Sequence, residues 1–355
     1  MIPRANVLDT AEAAYQSAFG VTLSSRVRLA RNLRGLPFPD RASAPVRAEV
    51  RRLVMEAARD VLPCQDALSS STLLARQQLF ESHLISRNLL AGSPETAVCR
   101  NLTSTQAVMV NEEDHVRIQA LRPGLALQEA WADADALDDV LERHLDYAFS
   151  PVLGYLTSCP TNVGTGMRAS VLMHLPGLVL MSEMEPIING LNKIGLAVRG
   201  RWGEGTAAIG HMFQISNQLT LGVPEERIVA DLTEIVKEVA EHERNARERL
   251  KKERRLQMAD LTARAEGLLK AARLMTAREA LERLSELRLG IALGLKRRIP
   301  MATVDRLLLE VQPAHLQAWA GRALDGAARD KVRADRLRAE LGGRRTKRMA
   351  KRTTT

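Results

Sequence analysis

The chain is 355 residues long, 45% hydrophobic and 26% charged, with a formal net charge of +9. These proportions exclude a fibrous or disordered chain and leave room for two domains, each able to bury a core. The absence of a run of 18 apolar residues, and of an apolar block near the N-terminus, predicts no membrane span, no secretory signal and a cytoplasmic location.

The cysteines, Cys64, Cys99 and Cys159, are odd in number and widely spaced, so free thiols are expected rather than a disulfide framework or a structural zinc site. The positive charge favours anionic partners. Much of it sits in the last fifteen residues, LGGRRTKRMAKRTTT, which hold six Lys/Arg and no acid. Residues 342–355 are therefore predicted to be a disordered tail that meets nucleic acid only non-specifically.

In chain order, alternating or apolar runs predict strands at Thr22–Leu29, Ala107–Val110 continuing into His115–Ala120, Tyr155–Ser158, Arg168–His174, Leu196–Arg199 and Gln214–Leu221. Apolar residues at helical spacing predict helices at Ala44–Leu62, Asp133–Ala148 and Pro186–Ile194. Together these give an α+β class with an antiparallel sheet flanked by helices. Pro224, then Glu225 and Glu226, open a long helix. Its continuation EHERNARERLKKERR reads as a solvated charged stretch. From about Leu256 to Leu341 no strand is expected and Leu/Ala recur at helical spacing. The predicted organisation is a catalytic domain over 1–255, an all-helical domain over 256–341 and the tail.

The stretch NEEDHVRIQ, residues 111–119, puts three acids, a histidine and an arginine directly after the apolar run Ala107–Val110. Read as extended, it places Glu113, His115 and Arg117 on one face and Glu112 and Asp114 on the other. In LSSRVRLARN, Arg26 and Arg28 share one face while Val27 and Leu29 take the opposite one. Arg168 and Arg199 also occupy strand-like positions. A ring of such planar, permanently charged forks suits phosphate oxygens, although a lone arginine more often pairs with a surface acid. The loop CPTNVGTG has the composition of an anion cradle and equally that of a tight turn. Four adjacent residues, Glu112 to His115, cannot converge on one metal ion.

These segments resemble the guanidino (phosphagen) kinase superfamily, and within it the bacterial protein-arginine kinases. The resemblance rests on SSRVRLARN, ESHLIS, VNEEDHVRIQ, GYLTSCPTNVGTGMRASVLMHLP, VRGRWGEG, QISNQLTLG and RDKVRA, in collinear order over most of the chain. It implies ATP and Mg²⁺ as cofactors, with Arg26, Arg28, Arg117, Arg168 and Arg199 on the phosphates and His83 near the adenine. It implies that Glu113 and Glu204 hold the substrate guanidinium, that Glu112 aids Mg²⁺, if only through water, and that Cys159 lines the site. Arg329, Asp330, Arg333 and Ala334 match the family's phosphoarginine-binding motif.

The implied reaction is ATP-dependent phosphorylation of arginine in proteins. The implied context is protein quality control, degradation and stress response, with an activator protein, a Clp-type protease or chaperone and a homodimeric state. A free guanidinium is a poor nucleophile because its pKa exceeds about 12 and its lone pairs are delocalised. Two carboxylates would accept its N–H bonds, aim one nitrogen and take its proton. The alternatives are a small-guanidino-substrate kinase and a catalytically weak phosphoarginine-binding adaptor. Arg201-Trp202 departs from the family pattern by adding positive charge beside Glu204.

Overall fold

A computed structural model describes residues 20–201, 208–296 and 298–342. The chain divides into two compact units, residues 1–250 and 251–355.

The first unit is built on an eight-stranded antiparallel sheet. Its strands are β1 (Thr22–Arg31), β2 (Cys64–Ala67), β3 (Ala97–Arg100), β4 (Gln106–Val110), β5 (Val116–Pro123), β8 (Met167–His174), β9 (Leu196–Gly200) and β10 (Met212–Asn217), in the spatial order β2-β3-β4-β5-β1-β8-β10-β9. A small hairpin, β6 (Phe149–Ser150) and β7 (Gly154–Tyr155), stands apart from it.

Because side chains alternate along a strand, each central strand carries a core row and a polar row. Val27, Leu29, Ile118, Ala169, Val171 and Ile215 form the core row. They pack against α1 (Ala44–Ala57), α3 (Leu127–Glu142), α5 (Met184–Lys193) and the N-terminal half of α6 (Glu225–Glu253) through Val50, Val54, Leu137, Leu191, Leu232 and Val236. α3 starts six residues before the expected position because its buried stripe begins at Leu127 and continues through Ala130, Ala134, Leu137 and Leu141.

The charged half of α6 is not the solvated stretch its composition predicts. Glu243 is fully buried and accepts from the backbone N–H groups of Gly177 and Leu178, each at 2.9 Å, at the start of α4 (Pro176–Leu180). A carboxylate at a helix N-terminus satisfies donors that have no intrahelical partner. Arg247, one turn on, donates to Glu243 at 2.6 Å and to the His174 carbonyl at 2.9 Å.

On the polar side of the sheet, α2 (Leu73–Glu81) and a 3₁₀ turn at Asn88–Ala91 lie over β3 and β4. Leu79, Leu84, Ile85 and Leu89 form a second apolar cluster with Val98, Ala107 and Met109. This excursion covers only part of the polar face.

The second unit holds α7 (Arg255–Ala271), α8 (Ala277–Ala292), α9 (Met301–Glu310), α10 (Pro313–Ala320) and α11 (Gly326–Leu341), with no strand among its described residues. A buried ion pair, Arg288 to Asp305 at 2.7 Å, ties α8 to α9.

Candidate active site: an arginine-lined sheet face

Register decides what the uncovered face presents. Arg28 stands directly opposite Arg168, Arg26 opposite Ser170, and on the other side Arg28 opposite Gln119. Arg117 pairs with Ala30, and Arg199 pairs with Gln214, which in turn faces Leu172. Residues directly opposite one another in antiparallel strands share a face, so Arg26, Arg28, Arg117, Arg168 and Arg199 all project from the same side.

Like charges held this close repel. Burial, followed by Arg117 and Arg168, lowers the Arg26 pKa to about 10. Burial and then Arg26, Arg117 and Arg168 push Arg28 well below its ordinary value. Arg168 is lowered by burial, then by Arg199 and Arg117. Arginine stays protonated at neutral pH, so the cluster keeps its positive charge and its mutual repulsion favours an incoming anion. Neutral groups line the gaps: Arg168 donates to Ser216 Oγ at 3.2 Å and Arg26 to Gln214 Oε1 at 3.4 Å. Arg28 Nε is buried and makes no hydrogen bond among the described residues.

The NEEDH segment is a turn rather than an extended strand, and the expected one-face grouping of Glu113, His115 and Arg117 does not occur. Asn111 adopts φ 53°, a left-handed conformation asparagine tolerates. Its N–H donates to the His115 carbonyl at 3.0 Å, and that of Glu112 to the Asp114 carbonyl at 3.1 Å, reversing the chain between β4 and β5.

The five residues of that turn do different work. Asp114 is fully buried, and its Oδ1 accepts from Asn32 Nδ2 and from the Ser158 N–H, both at 2.7 Å. It thus ties the turn to the end of β1 and to the segment carrying Cys159. His115 is also buried: Nδ1 accepts from the Leu33 N–H at 3.1 Å, which leaves Nε2 to donate to the Pro37 carbonyl at 3.1 Å. Burial lowers its pKa despite that second bond, so the ring is a neutral strut.

Glu112 and Glu113 both approach Arg117, and their exposure separates their roles. The Glu112 side chain is 3% exposed and ion-pairs with Arg117, and its Oε2 also accepts from the Glu113 N–H at 2.9 Å. Burial would raise its pKa, but Arg117 and that N–H outweigh it and hold the carboxyl below its ordinary value. The Glu113 side chain is 38% exposed, with Arg117 4.0 Å away. Burial raises its pKa, Arg117 opposes, and Asp114, Glu112 and Asp40 add to the rise. Glu113 is the carboxylate open to a ligand, and the basic one.

The glycines of CPTNVGTG do not make an anion cradle. A Cβ on Gly164 would lie 2.3 Å from the Thr220 carbonyl oxygen, and one on Gly166 would lie 2.6 Å from that of Ala30. The backbone N–H groups of Gly164 and Thr165 are already spent on Tyr155 and Thr220. Glycine is needed there because three chain segments cross closely. Cys159 is half-buried with Sγ 3.0 Å from Thr161 Oγ1, close enough to Arg168 to act on it electrostatically.

His83 has φ 61°. Its carbonyl accepts from Gln119 Nε2 at 2.8 Å, and its ring Nε2 contacts the Arg201 guanidinium. Glu204 and Trp202 lie outside the described residues.

In the helical unit Arg333 is buried. Its guanidinium donates to the Val311 and Met275 carbonyls, both at 2.8 Å, and to Asp330 Oδ1 at 2.7 Å. Arg329 is half-buried and donates to the Leu324 carbonyl at 3.0 Å. Ala334 is buried beside them in sequence, and the Asp330 side chain is partly exposed.

Sequence reasoning misses Asn32, Gln119, Asn217 and the anchoring roles of Asp114 and His115. Gln119 was recoverable from alternation, two residues beyond Arg117. Asn217 holds the start of β8, and so Arg168, by accepting from the Ala169 N–H at 2.8 Å and donating to the Met167 carbonyl at 3.1 Å. No local pattern announces those bonds.

Residues 59–246 match the ATP:guanido phosphotransferase C-terminal catalytic domain, and residues 255–352 match the C-terminal domain of the protein-arginine kinase McsB. The protein-arginine kinase of Moorella thermoacetica is 44% identical over 91% of this chain and 94% of its own length. The chain belongs to the protein-arginine kinases. That of Symbiobacterium thermophilum is 47% identical over 90% of this chain and 93% of its own. Among solved structures, lombricine kinase superposes with a TM-score of 0.56 at 28% identity, over 68% of this chain and 71% of that one. The antiparallel sheet described above is thus that of a phosphotransferase family whose acceptors are guanidino groups.

Proposed function

We propose that this protein transfers the γ-phosphoryl group of ATP to arginine side chains of other proteins. The observation that supports this most is a single sheet face holding Arg26, Arg28, Arg117, Arg168 and Arg199 beside one accessible, basic carboxylate, Glu113. The arginines bind the polyphosphate and neutralise charge on the phosphoryl group in flight, which is the main electrostatic task in this chemistry. Glu113, with Glu204 as its partner, accepts the guanidinium N–H bonds and aims one terminal nitrogen at the γ-phosphorus. As the N–P bond forms and the bond from γ-phosphorus to the β-bridging oxygen breaks, ADP departs and the nitrogen's proton passes to Glu113. Its raised pKa suits that proton transfer.

Mg²⁺ is expected with the nucleotide, where it supplies further neutralisation. No group of three or more His, Cys, Asp or Glu among the described residues could hold it, and Glu112 is already engaged by Arg117 and the Glu113 N–H. In this reading the ion enters on the phosphates, and Glu112 aids it only through water. Asp114 and His115 keep the turn in place, while Cys159 borders the acceptor side.

The helical unit is assigned the reading of phosphoarginine, with Arg329 and Asp330 as its accessible members. The product marks proteins for quality control during stress, with an activator and a Clp-type protease or chaperone as partners and a homodimer as the working form. The support for those partners is the family likeness alone.

The test is incubation with ATP and Mg²⁺, offering an arginine-rich protein in one reaction and free arginine in another, followed by mass spectrometry under non-acidic conditions. Phosphate on protein arginine, with little on free arginine, is expected. Phosphate confined to Ser, Thr or Tyr, or rapid turnover of free arginine, refutes the assignment.

A further inference from the structure

Arg201 is half of the pair, Arg201-Trp202, by which VRGRWGEG departs from its family pattern, and the structure gives Arg201 a definite place. Its N–H donates to the Met212 carbonyl at 2.8 Å and its carbonyl accepts from Ile209 at 3.2 Å, so the ladder with β10 continues two residues beyond Arg199. That spacing returns the side chain to the face that carries the arginine cluster.

The side chain is half-buried. It lines a small cavity together with Ser24, Arg26, Leu121, Ser170 and Gln214, and its guanidinium meets His83 Nε2 on the far wall. Burial, with Arg26 adding to it, lowers its pKa to about 9. A second guanidinium therefore stands beside Arg26, in a cluster already crowded with positive charge. Such a placement works against the ligand-free fold and in favour of any polyanion that enters.

We propose that Arg201 is a sixth nucleotide-binding arginine of this protein, contacting the phosphate nearest the nucleoside. The position follows from its two neighbours: Arg26 belongs to the phosphate-binding set, and His83 lies on the nucleoside side, so a group between them faces the junction of the two. This rests on the assignment of the arginine-lined face to ATP. The guanidinium meets the His83 ring in the ligand-free state and exchanges that contact for a phosphate oxygen when nucleotide arrives. A charge-assisted bond of this kind is worth at least about tenfold in affinity.

The test is calorimetric titration of the full-length protein and its Arg201→Leu and Arg201→Lys variants with ATP, ADP, AMP and adenosine. ATP, ADP and AMP are expected to weaken by a similar factor, about tenfold or more, in Arg201→Leu. Adenosine is expected to bind all proteins equally, and Arg201→Lys to recover much of the loss. A loss that falls equally on adenosine overturns the proposal, because the side chain then serves the base or the fold. ATP binding that is unchanged or tighter in Arg201→Leu also overturns it, because the side chain then merely fills the cavity. Failure of the unmodified protein to bind ATP would instead remove the underlying nucleotide assignment, and this proposal with it.

Discussion

Replacing Asp114 by alanine removes the group that ties the Glu113 turn to the end of β1 and to the segment carrying Cys159. Its Oδ1 accepts two short bonds, from Asn32 Nδ2 and the Ser158 N–H. Bonds to a charged acceptor contribute about 1.5–3 kcal/mol each, so the gross loss is about 3–6 kcal/mol. Part is regained, because a carboxylate buried with Oδ2 lacking a hydrogen bond among the described residues carries a desolvation cost that alanine relieves. The net expectation is a loss of about 2–4 kcal/mol. Asp114→Asn keeps an oxygen at the same place and should lose about half as much. For a unit of this size each kcal/mol shifts Tm by about 2–4 °C, so Asp114→Ala should melt about 5–15 °C lower by scanning calorimetry. Its kcat should fall as well, because the Glu113 turn and the Cys159 segment are no longer tied together. An alanine variant that melts within about 1 °C of the parent with kcat intact would refute this account of the turn.

Glu113→Gln keeps size but removes basicity, and kcat should fall by about 10²-fold or more with little change in Tm. Because burial raises the Glu113 pKa, the unmodified enzyme should lose activity as pH falls through a value above that of an ordinary glutamate. The Gln variant should lack that acid limb, and an unchanged limb assigns it to another group. Alkylation of Cys159 should inactivate and ATP should protect; unchanged sensitivity in Cys159→Ser points to Cys64, because Cys99 is fully buried. In the helical unit, Arg329→Ala should abolish phosphoarginine binding in calorimetry without loss of stability. Arg333→Ala should lower the melting temperature, since it strips donors from the buried Val311 and Met275 carbonyls. Full phosphoarginine binding by Arg329→Ala would remove that residue from the site.

The arginine cluster was legible because a period of two needs no knowledge of partners: once β1, β5, β8 and β9 are recognised as strands, the faces of Arg26, Arg28, Arg117, Arg168 and Arg199 follow. The same rule misplaced Glu113 because it was applied across a turn. What makes the turn is Asn111 in a left-handed conformation, with Asp114 reaching 82 residues back to Asn32 and 44 forward to Ser158. Distance in sequence hid Glu243 in the same way, since its partners at Gly177 and Leu178 lie 66 and 65 residues away. The short strands Cys64–Ala67 and Ala97–Arg100 were missed because neither alternates: one is half-buried throughout and the other fully buried.

The two-sidedness of β1 has a consequence for how this sequence can change. Arg26 and Arg28 project from the arginine-lined face while Val27 and Leu29 look into the core, so the strand has a frame in the sense that a coding text has one. A single-residue insertion or deletion just before Arg26 would turn both arginines toward the apolar interior and both aliphatic residues to the arginine-lined face, disrupting both faces of the sheet at one stroke. The irregularity in pairing between Thr22 and Ser24 marks where one residue's slack has already been absorbed. Changes in length along this segment are therefore excluded from Ser24 to Arg31, and the exclusion runs on through Asn32 and Leu33, whose bonds to Asp114 and His115 fix the turn.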